Sequence, residues 1–303
     1  MIELIRKFYY FPKNFIYLLE AWRISKGKIS FNSKGLNRNK REIHEVIVSL
    51  TSFPGRIDLV PGVISSLLRQ TFKPDRIILW LGEEKFPNKK LPNIFNRILK
   101  CGVEVKFRKD LKSHTKYFYV MQEFPESIII TVDDDRIYNC KLIETLVKSY
   151  IKHPTMVSAN RVHLMTFDED GRLNSYKDWI YEYPNHVGNF SFKYFATGVG
   201  GVLYPPHILC NETFNLKVIQ NLCHNHDDMW LKIMEVLSGV KVIIAADAKK
   251  SLSHNIYNSQ ITGQYIENVI QGGNDLQSKA VISYYNDCSG IGTSLETVIF
   301  EDL

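Results

Sequence analysis

The 303-residue chain is sparing with cysteine: Cys101, Cys140, Cys210, Cys223 and Cys288 are scattered, odd in number and never in a CxxC pair. Such a set offers neither a structural zinc site nor a disulfide framework, and it fits a reducing cytoplasm. Apolar runs are short. None approaches the length of a membrane span, and no stretch resembles a cleavable signal. There is no internal repeat. A GxGxxG turn and a Walker loop are both missing, so neither the usual dinucleotide-binding fold nor a P-loop enzyme is indicated. Neither sign of charge dominates: 38 Lys and Arg against 32 Asp and Glu leave a modest +6. That excess suits phosphate-bearing ligands or an anionic membrane surface. No nucleic-acid-binding signature accompanies it, so nucleic acid is not an expected partner.

What is present is a globular composition, 45% hydrophobic and 23% charged, enough for a large α/β domain with appendages. Residues 1–42 are expected to form an amphipathic, helical N-terminal segment followed by a linker. Aromatic and aliphatic residues interleave there with Arg6, Lys7, Lys13, Arg23, Lys26 and Lys28, and Pro12 divides the stretch. Two readings of 1–28 stand side by side: peripheral contact with a membrane, or packing on the core or a partner chain. The polar run 29–42 reads as the linker. Residues 43–250 carry the main domain, and 251–303 a helical tail that packs back on it.

The main domain alternates strand and helix patterns: strands over 45–51, 76–81, 103–107 and 127–132, with helices over 60–68, 94–99 and 114–124 between them. Val60, Val63, Ile64, Leu67 and Leu68 make one clean helical face. This cadence predicts a doubly wound, parallel sheet flanked by helices. Further along, a helix over 142–151 precedes a strand over 156–163. A loop or small hairpin over 166–195 and a last sheet strand over 240–246 follow.

Two acidic clusters carry the chemistry. The apolar strand 127–132 ends in Asp133-Asp134-Asp135, where ligands of open α/β sheets bind. Along an extended chain Asp133 and Asp135 would face one side and Asp134 the other. Two carboxylates about 5 Å apart repel by roughly 3 kcal/mol at an effective dielectric of ~20. Three crowded together therefore invite a cation, and an oxygen-only set suits Mg²⁺ or Mn²⁺ rather than zinc. The bland alternative is a solvated acidic turn. The second cluster, Asp227-Asp228, opens a helix bearing Trp230, Ile233, Met234 and Leu237. One acid group holding a metal and another accepting a proton suit transfer of a group from a diphosphate donor. Asp227 as a plain helix cap is the competing reading. Between the clusters, Gly198, Gly200 and Gly201 allow close backbone approach to a ligand, or make a simple turn. His224 and His226 stand at i, i+2 and diverge, so joint chelation of zinc is poor.

The order of parts over residues 45–250 resembles the DxD-bearing GT-A glycosyltransferases, specifically the glycosyltransferase family 2-like enzymes. That order is first strand, DxD strand, glycine-rich segment, then an acidic pair before a helix. The resemblance implies a GT-A (Rossmann-like) α/β fold with a mostly parallel central sheet. It implies that Asp133 and Asp135 hold Mn²⁺ or Mg²⁺, with His254 as a third ligand, and that Asp133 and Asp134 border the donor. Asp228 becomes the catalytic base, and Asp227 orients it or touches the acceptor. The glycine segment then lies on the acceptor side. Thr51, Phe53 and Arg56 would border the nucleotide, and Lys116 would reach the base or diphosphate; Arg56 and Lys116 as plain surface charges are the alternatives.

The implied reaction is inverting hexosyl transfer from a nucleotide-sugar, foremost a UDP-sugar, to a glycan or lipid-linked glycan acceptor. Surface polysaccharide synthesis at the inner membrane face is the implied setting. Two departures from the family's common pattern stand out. Leu81-Gly82-Glu83 ends the second strand where many members carry an acid that grips base or ribose. The Gln-x-x-Arg-Trp motif is absent, so a single linkage rather than processive synthesis is expected. A sugar-phosphate nucleotidyltransferase and a non-catalytic sugar-binding or assembly module are the rival readings.

Overall fold

The computed structural model describes residues 29–183, 186–246, 253–256, 273–288 and 293–302. The amphipathic segment expected over 1–28, with its membrane or core contact, and much of the expected tail lie outside these residues.

The sheet grows around β1 (Val46–Ser52), whose sequence VIVSLTS is buried along nearly its whole length. Rows of β-branched residues suit a strand covered on both faces. β1 pairs in parallel with β2 (Arg76–Gly82) on one side and β4 (Ile128–Thr131) on the other. β3 (Glu104–Arg108) continues the parallel half beyond β2. The crossovers carry helices α1 (Val60–Leu67), α2 (Phe95–Lys100) and α3 (Thr115–Glu123). Beyond β4 the sheet continues through β10 (Val202–Tyr204), β6 (Val157–Ala159), β11 (Val242–Ile244) and β8 (Phe190–Ser191). β10 runs antiparallel to both neighbours, β6 and β11 are parallel, and β8 is an antiparallel edge. The result is an α/β fold with a mostly parallel central sheet. β10 and β8 are its antiparallel members, and the glycine-rich turn brings the chain back between β4 and β6, reversed.

Alternation along β1 divides the core. Val48 and Leu50 pack with Val60, Val63, Ile64 and Leu67 of α1 and with Leu142, Ile143 and Leu146 of α4 (Leu142–Lys152). Ile47 turns to the opposite face, against Ile78, Trp80, Val120 and Ile129. Each such buried side chain contributes about 1.5–3 kcal/mol. Ser49 is the polar exception in this strand. Its hydroxyl donates to the carbonyl of Lys116 and accepts from Trp80 Nε1 at 3.0 Å. That pair of bonds fixes the first turn of α3 beneath the sheet's centre.

A second core gathers Phe195, Trp179, Trp230, Ile233 and Met234 beside Val281 and Tyr285. It seats α6 (Asp227–Leu237) against α7 (Gly273–Cys288) and α8 (Leu295–Glu301). α5 (Leu216–Leu222) leads into that helix.

Two local expectations change. The strand expected over 156–163 divides at Asn160-Arg161 into β6 and β7 (Val162–Leu164), and β7 pairs with β9 (Tyr194–Ala196) rather than with the main sheet. Asn160 holds the corner, its Nδ2 donating to Leu142 O at 3.3 Å and Gly200 O at 3.1 Å. The run 29–42 is less of a free linker than its polarity implies. Leu36 is buried in the core, and Gly35 lies so close to Leu68 that a Cβ would stand 2.4 Å from its carbonyl oxygen. Among the described residues no helix is long and apolar enough to cross a membrane.

Replacing Ser49 by Ala strands a buried indole N–H. An orphaned group of this kind costs about 1–3 kcal/mol, so the urea midpoint of Ser49→Ala should fall by the equivalent of roughly 1–3 kcal/mol. An unshifted midpoint would show that these bonds do not anchor α3.

Candidate active site

β1 and β4 lie side by side at the point where strand order reverses, β4 stopping opposite Ser49 and β1 running on to Ser52. The sheet strand stops at Thr131, and Asp134 and Asp135 form a turn into β5 (Arg136–Tyr138). The two-residue alternation therefore ends before the acids, and their expected sidedness does not hold. Asp134 and Asp135 share one cation: Arg56 Nη1 stands 3.1 Å from Asp134 Oδ1 and 3.1 Å from Asp135 Oδ2. Ser52 Oγ, at the end of β1, donates to Asp134 Oδ2 at 2.6 Å. Asp133 turns instead to Lys116, whose Nζ lies 2.9 Å from its Oδ1.

Lys116 also reaches the second cluster. Its Nζ is 2.8 Å from Asp227 Oδ2, so one ammonium joins the triple aspartate to the acidic pair. The lysine is only 5% exposed. Burial opposes its charge, yet Asp133 and Asp227 outweigh that and hold its pKa well above the ordinary lysine value. Asp227 and Asp228 occupy the first turn of α6, where the helix dipole favours anions. Asp227 forms no side-chain cap, since the capping position is His226; its carboxylate is spent on Lys116.

Asp228 accepts from the backbone N–H of Gly198 with both oxygens, at 3.3 and 3.2 Å. A Cβ on Gly198 would stand 2.8 Å from both Asp133 Oδ1 and Lys116 Nζ. A side chain here would push the ion bridge aside, so glycine suits the loop that lies across it.

The environments push the acidic pair apart. Burial raises Asp227, but Lys116 and then His114 overcome it and hold that carboxyl below the usual range. Burial first, then the neighbouring Asp227 charge, raise Asp228 well above it, and Lys116 offsets only part. Asp228 also keeps some access to solvent where Asp227 has little. Two adjacent acids with divergent pKa values are suited to different tasks, one as a charged anchor and one as a proton acceptor.

The remaining sequence candidates fall out as follows. Thr51 spends its hydroxyl on Trp80 O at 2.9 Å, and the Phe53 ring is 5.7 Å from the Arg56 guanidinium. Arg56 is not a plain surface charge: it is mostly buried and pairs with two carboxylates. Lys116 is likewise not solvated. His254 pairs across from Ile137 in β12 (Ser253–Asn255), on the face of that buried side chain. Burial, then Arg136, lower its pKa to about 4. Among the described residues no three His, Cys, Asp or Glu side chains converge as a metal cage. Asp133, Asp135 and His254 thus do not form the expected triad. His226 is a buried, neutral ring lowered by burial to about 4, packed near Phe195 and Tyr176.

A divalent ion still fits the donor set. Mg²⁺-type ions commonly take one or two carboxylates and complete their shell with phosphate oxygens and water. Asp133 and Asp135 supply two such groups. Burial and then the Asp133 charge raise Asp135 to about 6, which marks a carboxylate short of cation.

Sequence reasoning passed over Ser52 and Tyr138, whose hydroxyl accepts from Asp133 N at 2.8 Å. It also missed Arg161, whose Nη1 donates to Thr197 Oγ1 at 3.0 Å beside Gly198. Ser52's place at a strand end beside the acids was the available signal; the other two depend on tertiary approach.

No protein-family model matches this chain, and no curated protein matches its sequence. Solved structures do align with it. A mannosyltransferase from Pyrobaculum calidifontis, in complex with GDP-Man and Mn2+, is 9% identical over 94% of this chain and 75% of its own, with a TM-score of 0.48. GalNAc-T7 with UDP, GalNAc and Mn2+ is 11% identical over 82% of this chain and 51% of its own, at 0.46. A CMP:2-keto-3-deoxy-manno-octonic acid synthetase complexed with CTP is 11% identical over 66% of this chain and 88% of its own, at 0.40. Similarity this low assigns no substrate, and function has to be argued from the site itself.

Two outcomes follow from the buried charges. Lys116→Met leaves two carboxylates without their cation and should cost about 3–5 kcal/mol in chemical denaturation. Adding Asp227→Asn should cost less than the sum of the single changes; strict additivity would mean that the bridge is not formed.

His163 accepts from Glu182 N at Nδ1 (2.9 Å), and burial, then Arg161, lower its pKa to about 3. The unfolded chain takes up that proton first, near pH 6.5, so stability falls as pH drops from about 6.5 toward 3. The loss at about pH 5 is roughly 2 kcal/mol. His163→Asn keeps an acceptor near Nδ1 and cannot titrate, so it should flatten that part of the acid slope in thermal midpoints. An unchanged slope contradicts the assignment.

Proposed function

We propose that this chain is an inverting glycosyltransferase of the GT-A, family 2-like kind, moving a sugar from a nucleotide-sugar to a hydroxyl of a glycan or lipid-linked glycan. The observation that carries this reading is the Lys116 bridge. It sets the strand-end aspartates and the Asp227-Asp228 pair around one ammonium, so a donor group and an acceptor hydroxyl have one place to meet. Asp133 and Asp135 would hold Mg²⁺ or Mn²⁺, which supplies charge neutralisation for the departing diphosphate when bound. Arg56 and Ser52 fix the turn so that these oxygens stay in place.

Asp228 accepts the proton of the acceptor hydroxyl. Its raised pKa matches a base working near neutrality, and the Gly198 N–H fixes its carboxylate plane. Asp227, kept charged by Lys116, anchors the helix turn that carries the base. A UDP-sugar is the foremost donor. Residues 1–28 would dock the enzyme on the inner membrane face, where lipid-linked acceptors of surface polysaccharide are assembled. The nucleotidyltransferase alternative is weakened by Arg56, which is turned onto aspartates instead of lining a phosphate loop.

A donor screen with and without Mn²⁺ tests the reading. Nucleoside diphosphate should appear from one nucleotide-sugar and depend on the ion. Asp228→Asn should cut turnover by about 10²–10⁴ with nucleotide binding kept. Release of pyrophosphate from a sugar phosphate and UTP would instead establish the rival enzyme, and full activity of Asp228→Asn would remove Asp228 as the base.

A further inference from the structure

We propose that Tyr181 and Glu182 form the wall on which the acceptor's sugar ring docks, an inference that rests on the transferase reading above. Two independent routes lead from the acidic pair to these consecutive residues. One is a run of rings: His226, immediately before Asp227, lies 6.3 Å from Tyr176, and Tyr176 lies 5.6 Å from Tyr181, edge to face. The other is a run of hydrogen bonds. Asp228 holds Gly198 N; Thr197, one residue earlier, accepts from Arg161 at 3.0 Å; and Arg161 Nε reaches Glu182 Oε1 at 3.1 Å. Both routes end at the same surface.

The wall is also rigid. Tyr181 donates from its hydroxyl to Tyr176 O at 3.1 Å and meets the His163 ring edge-on at 4.7 Å, yet remains 42% exposed. Its tip is anchored while part of the ring stays open. Glu182 sits at φ +48°, a left-handed conformation that side-chain-bearing residues seldom adopt, and His163 holds it there through the Glu182 N–H. Its side chain is 61% exposed. A strained residue presenting a carboxylate next to a fixed aromatic face is a costly arrangement for plain surface, where exposed tyrosines otherwise need no explanation.

The chemistry selects the occupant. An aromatic face takes the apolar C–H side of a pyranose, and the Glu182–Arg161 fork offers an acceptor and donors for its hydroxyls. A nucleotide would be drawn to the strand-end turn instead. A base at Asp228 needs a hydroxyl delivered at fixed orientation, and a ring held on this neighbouring wall supplies one.

The test uses saturation-transfer NMR with methyl β-D-glucopyranoside, methyl β-D-galactopyranoside and methyl N-acetyl-β-D-glucosaminide on the full chain. The wild type should bind at least one of them. Tyr181→Ala should weaken that binding by about 10-fold, and Tyr181→Phe, which keeps the ring, by no more than about 3-fold. UDP with Mn²⁺, titrated into the same samples, should bind all three proteins equally. Equal pyranoside binding by wild type and Tyr181→Ala, or none by the wild type, overturns the docking wall. Pyranoside binding lost in Tyr181→Ala while no protein binds UDP supports the wall and sinks the donor reading, so the two failures are told apart.

Discussion

One buried ammonium organises this molecule's chemistry. Lys116 lies in the first turn of α3, and Ser49 of the central strand grips its carbonyl, so its origin is fixed by the middle of the sheet. Its Nζ spans Asp133 and Asp227, residues 94 positions apart in sequence. A buried lysine is tolerable only with partners, and a buried carboxylate likewise. Lys116 and Asp227 each make the other's burial tolerable, and Asp133, with its side chain 25% exposed, is the lysine's second partner.

The topology explains how the partners arrive. β4 delivers Asp133 at the reversal point of the strand order, beside the end of β1. The chain then returns antiparallel as β10, and the turn entering it carries Gly198 over the lysine. α6 brings Asp227 in from the second core, seated by Trp230, Ile233 and Met234. The site is therefore the seam between the parallel half of the sheet and the half built around β6, β9 and α6. Arg161, at the corner where β6 gives way to β7, ties the same seam from the other side.

Much of this was legible beforehand because periodicity and strand-end chemistry are local. The apolar run ahead of Asp133-Asp134-Asp135 announced a buried strand, and β4 is one. The helical face Val60, Val63, Ile64, Leu67 appeared as α1 with those residues in the core. Partner choice was less visible. Alternation gave the wrong pairing among the three aspartates because the chain leaves the sheet after Thr131, and a turn has no two-residue period. Nor does any pattern in the sequence show that Arg56 faces two carboxylates. The short strands β6, β7 and β8 lie below the length at which alternation is informative. The corner at Asn160 rests on amide bonds to distant backbone.

Charge balance connects the site to the kind of ligand it admits. Asp133, Asp134, Asp135 and Asp227 are met within bonding distance by Arg56 and Lys116, while Asp228 accepts from the Gly198 N–H. Both of these cations are already engaged with carboxylates. The surplus of carboxylate appears in the acids themselves, since Asp135 and Asp228 are both pushed upward. A diphosphate approaching to about 5 Å would meet roughly 3 kcal/mol of repulsion per uncompensated charge pair at an effective dielectric of ~20. Arg56 cannot turn to receive it without abandoning two aspartates, and Lys116 cannot without loosening the bridge. A phosphate-bearing donor therefore requires a further cation, and the oxygens of Asp133 and Asp135 provide the hard ligands a divalent ion prefers. On the proposed acceptor side the same surplus works in the opposite sense. It raises the proton affinity of Asp228, as the base proposed above requires. Under that reading a single excess of negative charge calls for metal at one end of Lys116 and supplies basicity at the other.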